Sequence, residues 1–185
     1  MIYNWKKIVR FGLPLLTLCI IIEIFAGQIL HLGQKTLVVF PIFLISIPVI
    51  NGVGGNIGCI LGARLASGLH VGYINIDFKD KKMRENLIIA ILMGIITYVI
   101  LAILIYFIAS LGGVLMGIGL IKFISVILGT GVLLVCIISL ASVLTAFWSF
   151  KKGLDPDDIV APVVTTIGDT LGIILLFLFI GAVGI

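Results

Sequence analysis

Asp169 stands deep inside an apolar run that begins Asp155-Pro156-Asp157-Asp158. Counted from Asp155 at about 1.5 Å per residue, it falls roughly 20 Å along a helix, near the middle of a bilayer. A carboxylate there costs at least about 2.5–3.5 kcal/mol to insert, so it should face protein or water and have a functional reason to persist. Thr165 and Thr166, four and three residues earlier, add oxygen near the same face, and Gly168 and Gly172 leave room for a neighbouring helix or a hydrated ion. The run from Val163 to Thr170 therefore reads as an oxygen-lined stripe. Oxygen donors with neither sulfur nor imidazole suit hard cations such as magnesium, calcium or manganese, and magnesium fits first because it keeps several waters and needs only one or two carboxylates. One aspartate compensates a divalent ion poorly. A symmetric dimer with its axis along the pore would bring two Asp169 residues to one point.

Other polar groups compete for attention. Glu23, about midway along the first apolar run, could assist permeation, or could be protonated or paired with an asparagine or Arg64; the pairing is the expected role. Asn51 and Asn56 must find hydrogen-bond partners within the membrane, either along a polar pathway or by bonding between helices, and Asn56 joins Asp169 and Thr165 among the metal-ligand candidates. Asp157 and Asp158 follow Asp155 and Pro156 in a strong helix-start signal, which capping alone explains; an acidic collar that gathers cations is the other reading. Thr166, Asp157, Asp158 and Glu23 are the weaker ligand candidates. His31 and His70 lie near span ends without a spaced partner. Cys19, Cys59 and Cys136 lie in apolar segments without zinc-like spacing, as buried free thiols do. No nucleophile, base and orienting residue form an enzyme signature, no phosphate loop precedes a helix, and a nucleotide domain for an ATP-driven pump is not found.

These groups must be positioned by membrane helices. The chain of 185 residues is 62% hydrophobic and 11% charged, against about 25% charged in a soluble domain, and its mean hydropathy is +1.39. A water-soluble fold is excluded on those figures. Five apolar stretches, about 11–31, 38–69, 84–111, 118–149 and 159–183, are each long enough to span, which predicts an all-α, multi-pass protein of the cell membrane, in contact with the lipid bilayer along most of its length. The second and fourth exceed one simple crossing and must tilt, protrude or break.

The net charge of +4 sits in short flanks, not on an amphipathic surface, so it reads as a topology signal and not as a nucleic-acid footprint. Lys6, Lys7, Arg10, Lys79, Lys81, Lys82, Arg84, Lys151 and Lys152 fall on one side if five helices alternate, which places the N-terminus in the cytoplasm and the C-terminus outside. The N-terminal apolar run is too long for a signal peptide and lacks a small-residue cleavage site, so it reads as a retained first helix.

In the second span, Pro41, Pro48 and Asn51-Gly52-Val53-Gly54-Gly55-Asn56 predict a kink or an unwound stretch that lines a cavity. Gly54, Gly58 and Gly62, spaced by four, predict a face that lets another helix approach closely. Pro162 should bend the start of the last helix or loosen its hydrogen bonding.

The run Pro48-Val49-Ile50-Asn51-Gly52-Val53-Gly54-Gly55-Asn56 resembles the helix-two signature of the MgtE-type magnesium transporters and their animal solute-carrier relatives. Asp155 to Asp169, with its acid-proline start, its small residue plus proline at Ala161-Pro162, and its aspartate at the matching spacing, resembles the family's entry into helix five. The resemblance implies one five-helix pore domain over residues 1–185, with no soluble regulatory domain, working as a parallel homodimer with Asp169 of both chains on hydrated magnesium. It further implies a backbone carbonyl contributed at Thr165. Ala161 stands where some members have an asparagine ligand, which opens selectivity to manganese, cobalt or calcium. Bacterial members carry a large cytoplasmic sensor ahead of helix one, and here ten residues occupy that place, so gating by such a sensor would need a separate cytoplasmic regulatory subunit. A sodium- or proton-coupled exchanger using Glu23, and a non-transporting membrane scaffold built on glycine faces, are the competing expectations.

Overall fold

The computed structural model describes residues 5–185, with side chains from Val9 onward. The side chains of Lys6 and Lys7, part of the basic flank, lie outside the described residues. The chain folds into α1 (Trp5–Leu32), α2 (Gln34–Val39), α3 (Pro41–Val71), α4 (Lys81–Leu111), α5 (Leu120–Lys151) and α6 (Pro156–Val183). Among the described residues, five of these are long and apolar enough to cross a membrane, α2 being too short. The second predicted span divides at Phe40, because Pro41 cannot donate a main-chain hydrogen bond and takes the first-turn position of α3 instead.

Helices α3, α5 and α6 pack mutually. α4 lies against α3 and α5, whereas α1 lies along α6 and touches α2. Large apolar side chains point outward from α1 and α4, among them Leu13, Ile20, Phe25, Ile96, Ile103 and Phe107, where lipid replaces water as the solvent. α3 and α5 are 31 and 32 residues long, about 46–48 Å of helix against a hydrocarbon core of about 30 Å. They exceed one simple crossing as expected, yet neither breaks.

α3 runs as one helix through Pro48 and Asn51–Asn56, so the unwound stretch predicted there does not form. Its neighbours hold it closed. The predicted glycine face meets α5 and α6: a Cβ at Gly54 would press on Ile138 and Leu134, one at Gly58 on Ile138 and Val164, and one at Gly62 on Val160 and Ser142. Packing at backbone distance supplies contacts that glycine's own propensity does not. Two hydroxyls from other helices also bind α3 carbonyls: Tyr98 Oη donates to Ile50 at 2.7 Å and Ser142 Oγ to Gly58 at 2.9 Å.

The helix ends follow the sequence. Gly72, at φ +75°, closes α3, and the amides of Tyr73 and Ile74 return to the Gly68 carbonyl at 2.8 and 3.0 Å. Asp80 caps α4 by accepting from the Met83 amide at 2.9 Å. At α6, Asp155 Oδ1 accepts from the Asp157 amide at 3.1 Å, with Pro156 in the first turn, as the helix-start signal predicts. α6 continues without a break through Pro162.

Candidate ion site

The middle of α6 is where the polar groups converge. Asp169 is half-buried there. From α3, Asn51 Nδ2 donates to the Asp169 main-chain carbonyl at 3.3 Å. Asn51 is 8% exposed, and its Oδ1 is buried without a partner. From α1, Glu23 reaches α6 at Thr166, three residues before Asp169. Its Oε1 accepts a hydrogen bond from Thr166 Oγ1 at 3.2 Å. Glu23 is thus paired, as the sequence led us to expect, but with a threonine of α6 and not with an asparagine or Arg64.

Gly168 and Gly172 leave room, and the occupant is α3. A Cβ at Gly168 would meet the Gly55 amide at 3.5 Å and the Asn51 carbonyl at 3.7 Å, and a Cβ at Gly172 would overlap Asn51 Oδ1. Close approach of the two helices is what lets a side chain as short as asparagine span the gap.

The remaining candidates divide. Thr166 is 3% exposed and is committed to Glu23. Thr165 packs against Gly55, and its hydroxyl donates to the Ala161 and Pro162 carbonyls at 2.9 and 3.1 Å, so its side chain is used within its own helix. Asn56 is exposed on α3, one residue beyond Gly55 and therefore about 100° round the helix from the face that meets α6. Asp157 and Asp158 are exposed in the first turn of α6, about 17 Å along the helix from Asp169. Near them, His70 Nε2 lies 3.5 Å from Asp155 Oδ1, and its ring meets Phe150 edge-on at 5.3 Å between centroids. Cys19 alone of the cysteines is fully buried; it donates weakly to the Pro162 carbonyl at 3.7 Å. The thiol thereby adds a second side-chain donor to a carbonyl that also accepts from Thr165 Oγ1.

Sequence reasoning put Asn56, and not Asn51, among the metal-ligand candidates and gave no role to Tyr98. The available signal was Gly172, which follows Asp169 by one helical turn and marks the spot where another helix must come close.

Among the described residues no basic side chain pairs with Asp169 or Glu23; the ion pairs join His70 to Asp155, and Lys81 and Lys82 to Glu85. No three His, Cys, Asp or Glu side chains come together there either. The described residues therefore offer two carboxylates on membrane-length helices, Asp169 and Glu23, with no basic side chain paired to either.

The fold and this pair define a multi-pass α-helical membrane protein with an acidic, oxygen-rich centre. The sequence model of the family described as MgtE, divalent cation transporter, matches residues 47–179, from the first turns of α3 almost to the end of α6 and so through both Asn51 and Asp169. The chain belongs to this MgtE family of divalent cation transporters. No match came from comparison with curated proteins or with solved structures. The family is one of transporters, not enzymes, and what it implies is movement of divalent cations, mainly Mg2+, across a membrane.

Proposed function

We propose that this chain forms a homodimeric pathway for magnesium in which Asp169 of both copies attracts the hydrated ion. The observation that carries this reading is that Glu23 of α1 is bonded to Thr166, three residues before Asp169 on α6, so that two carboxylates lie along one stretch of a membrane-length helix with no basic partner among the described residues. Charge left uncompensated in a bilayer is costly, and a permeating cation supplies the missing charge. Hydrated magnesium suits the setting, since carboxylate oxygens can hold its waters without a full protein cage.

Asp169 is only half-buried and Glu23 is exposed on the bundle surface. Lipid is an unfit neighbour for either, so a second copy of the chain is the natural cover and doubles the number of carboxylates. Asn56, exposed on the neighbouring face of α3, would meet the ion's waters or the partner across that interface, and the Thr165 main-chain carbonyl would add a further oxygen. The basic residues beside α4 and after α5 support a cytoplasmic start for α6, with Asp157 and Asp158 at that end. There the two acids would draw cations toward the mouth.

The test is magnesium entry into liposomes holding the purified protein, followed with an internal dye. Wild type is compared with Asp169→Asn at several sodium and proton gradients. Entry that requires Asp169 and ignores the gradients identifies the pathway; entry that follows a gradient identifies an exchanger instead; equal entry in Asp169→Asn removes Asp169 as the ion site, and no entry with intact wild type leaves a scaffold or a missing subunit.

A further inference from the structure

Tyr98 of α4 is fully buried, and its hydroxyl donates to the Ile50 carbonyl of α3 at 2.7 Å. The ring fits a notch in α5 that exists because residue 131 is glycine: a Cβ there would overlap the ring carbons. The hydroxyl itself lies against Gly54, whose Cβ would stand 3.3 Å away. Ile50 directly precedes Asn51, the residue whose amide reaches the Asp169 carbonyl. Consecutive residues project about 100° apart on a helix, so α3 is held at one level from two directions, by α4 through Ile50 and by α6 through Asn51. The glycine face packed on α5 and α6 sets the broad rotation of α3, and these two hydrogen bonds fix it at the level of Asn51. Asn51 needs this support, because its Oδ1 has no partner and only one end of the amide is fixed by a hydrogen bond.

We infer that Tyr98 is a positioning residue for ion binding, its hydroxyl setting the rotation of α3 that presents Asn51 to Asp169. This rests on the reading of Asp169 as the ion site. A phenylalanine would fill the Gly131 notch equally well, so the directional part of the contact belongs to the hydroxyl alone.

The test uses the full chain in liposomes, with magnesium concentration varied for wild type, Tyr98→Phe, Asn51→Ala, the double variant and Asp169→Asn, and with thermal unfolding recorded for each. Tyr98→Phe should raise the half-saturating magnesium concentration about fivefold, the scale of one lost hydrogen bond, and the double variant should be no worse than Asn51→Ala, because both changes remove one device. Replacing Tyr98 with para-aminophenylalanine, which keeps a donor at the ring tip, should restore the wild-type value. An unchanged half-saturating concentration in Tyr98→Phe overturns the inference, as do two effects that simply multiply in the double variant, or a failure of para-aminophenylalanine to rescue Tyr98→Phe, including its assembly. If Asp169→Asn abolishes entry while Tyr98→Phe behaves as wild type, the inference alone falls. If Asp169→Asn itself transports normally, the ion-site reading falls and this one with it.

Discussion

Asn51 and Asp169 meet across the α3–α6 contact, the amide of one donating to the main-chain carbonyl of the other at 3.3 Å. The glycine at 172 makes this possible, because a Cβ there would occupy the place of Asn51 Oδ1. Asp169 is therefore set by its own helix in depth and by α3 in orientation.

Gly172→Ala forces Asn51 aside. Overpacking at such a contact costs about 1–3 kcal/mol, so the thermal midpoint of the purified protein should fall and magnesium entry should weaken. Shortening the obstructing side chain relieves the clash: Gly172→Ala combined with Asn51→Ala should be more stable than Gly172→Ala alone. A double variant less stable than either parent would contradict the packing described.

Glu23 is bonded to Thr166, three residues before Asp169 on α6. Glu23→Gln keeps much of the shape and removes the charge. The half-saturating magnesium concentration should rise several-fold, with entry still independent of sodium and proton gradients. Thr166→Val, which loses the hydroxyl but not the charge, should have the smaller effect. Were wild-type entry to follow a gradient and Glu23→Gln to abolish that dependence, the exchanger reading would take over.

Asp80 offers a pH test away from the membrane-spanning core. The Met83 amide, together with the Asn75 side chain and amide, holds the Asp80 carboxyl below the ordinary aspartate value of 3.8. A depressed folded-state pKa means that the stabilisation is fully present above that ordinary value and is lost as the pH falls through the lower, folded one. Asp80→Ala should therefore speed amide exchange in residues 75–84 at neutral pH, and its difference from wild type should shrink once the pH drops below that of an ordinary aspartate. A difference that persists unchanged into strong acid would show that the carboxylate is not the cap.

Much of this arrangement is legible in the chain itself, and the limit is informative. Asp155-Pro156 announces the start of α6, and counting from there gives the depth of Asp169, because both are properties of a single helix. The spacing of Gly54, Gly58 and Gly62 announces a close helix contact for the same reason. The choice between Asn51 and Asn56 is different, since it depends on how α3 is rotated, and that is fixed by Tyr98, Ile138, Val160 and Val164 on other helices. The pairing of Glu23 with Thr166 joins residues 143 positions apart and leaves no local trace. Pro48 and the glycines around Asn51 predicted unwinding from local propensity, and tertiary packing overrode it, as it commonly does.

The most direct test of the central claim is magnesium entry into liposomes containing Asp169→Asn, a change that removes the charge with little change of shape. The account predicts entry no faster than in protein-free liposomes, with the variant still folded and melting close to wild type. Entry at the wild-type rate from a folded Asp169→Asn protein would contradict it.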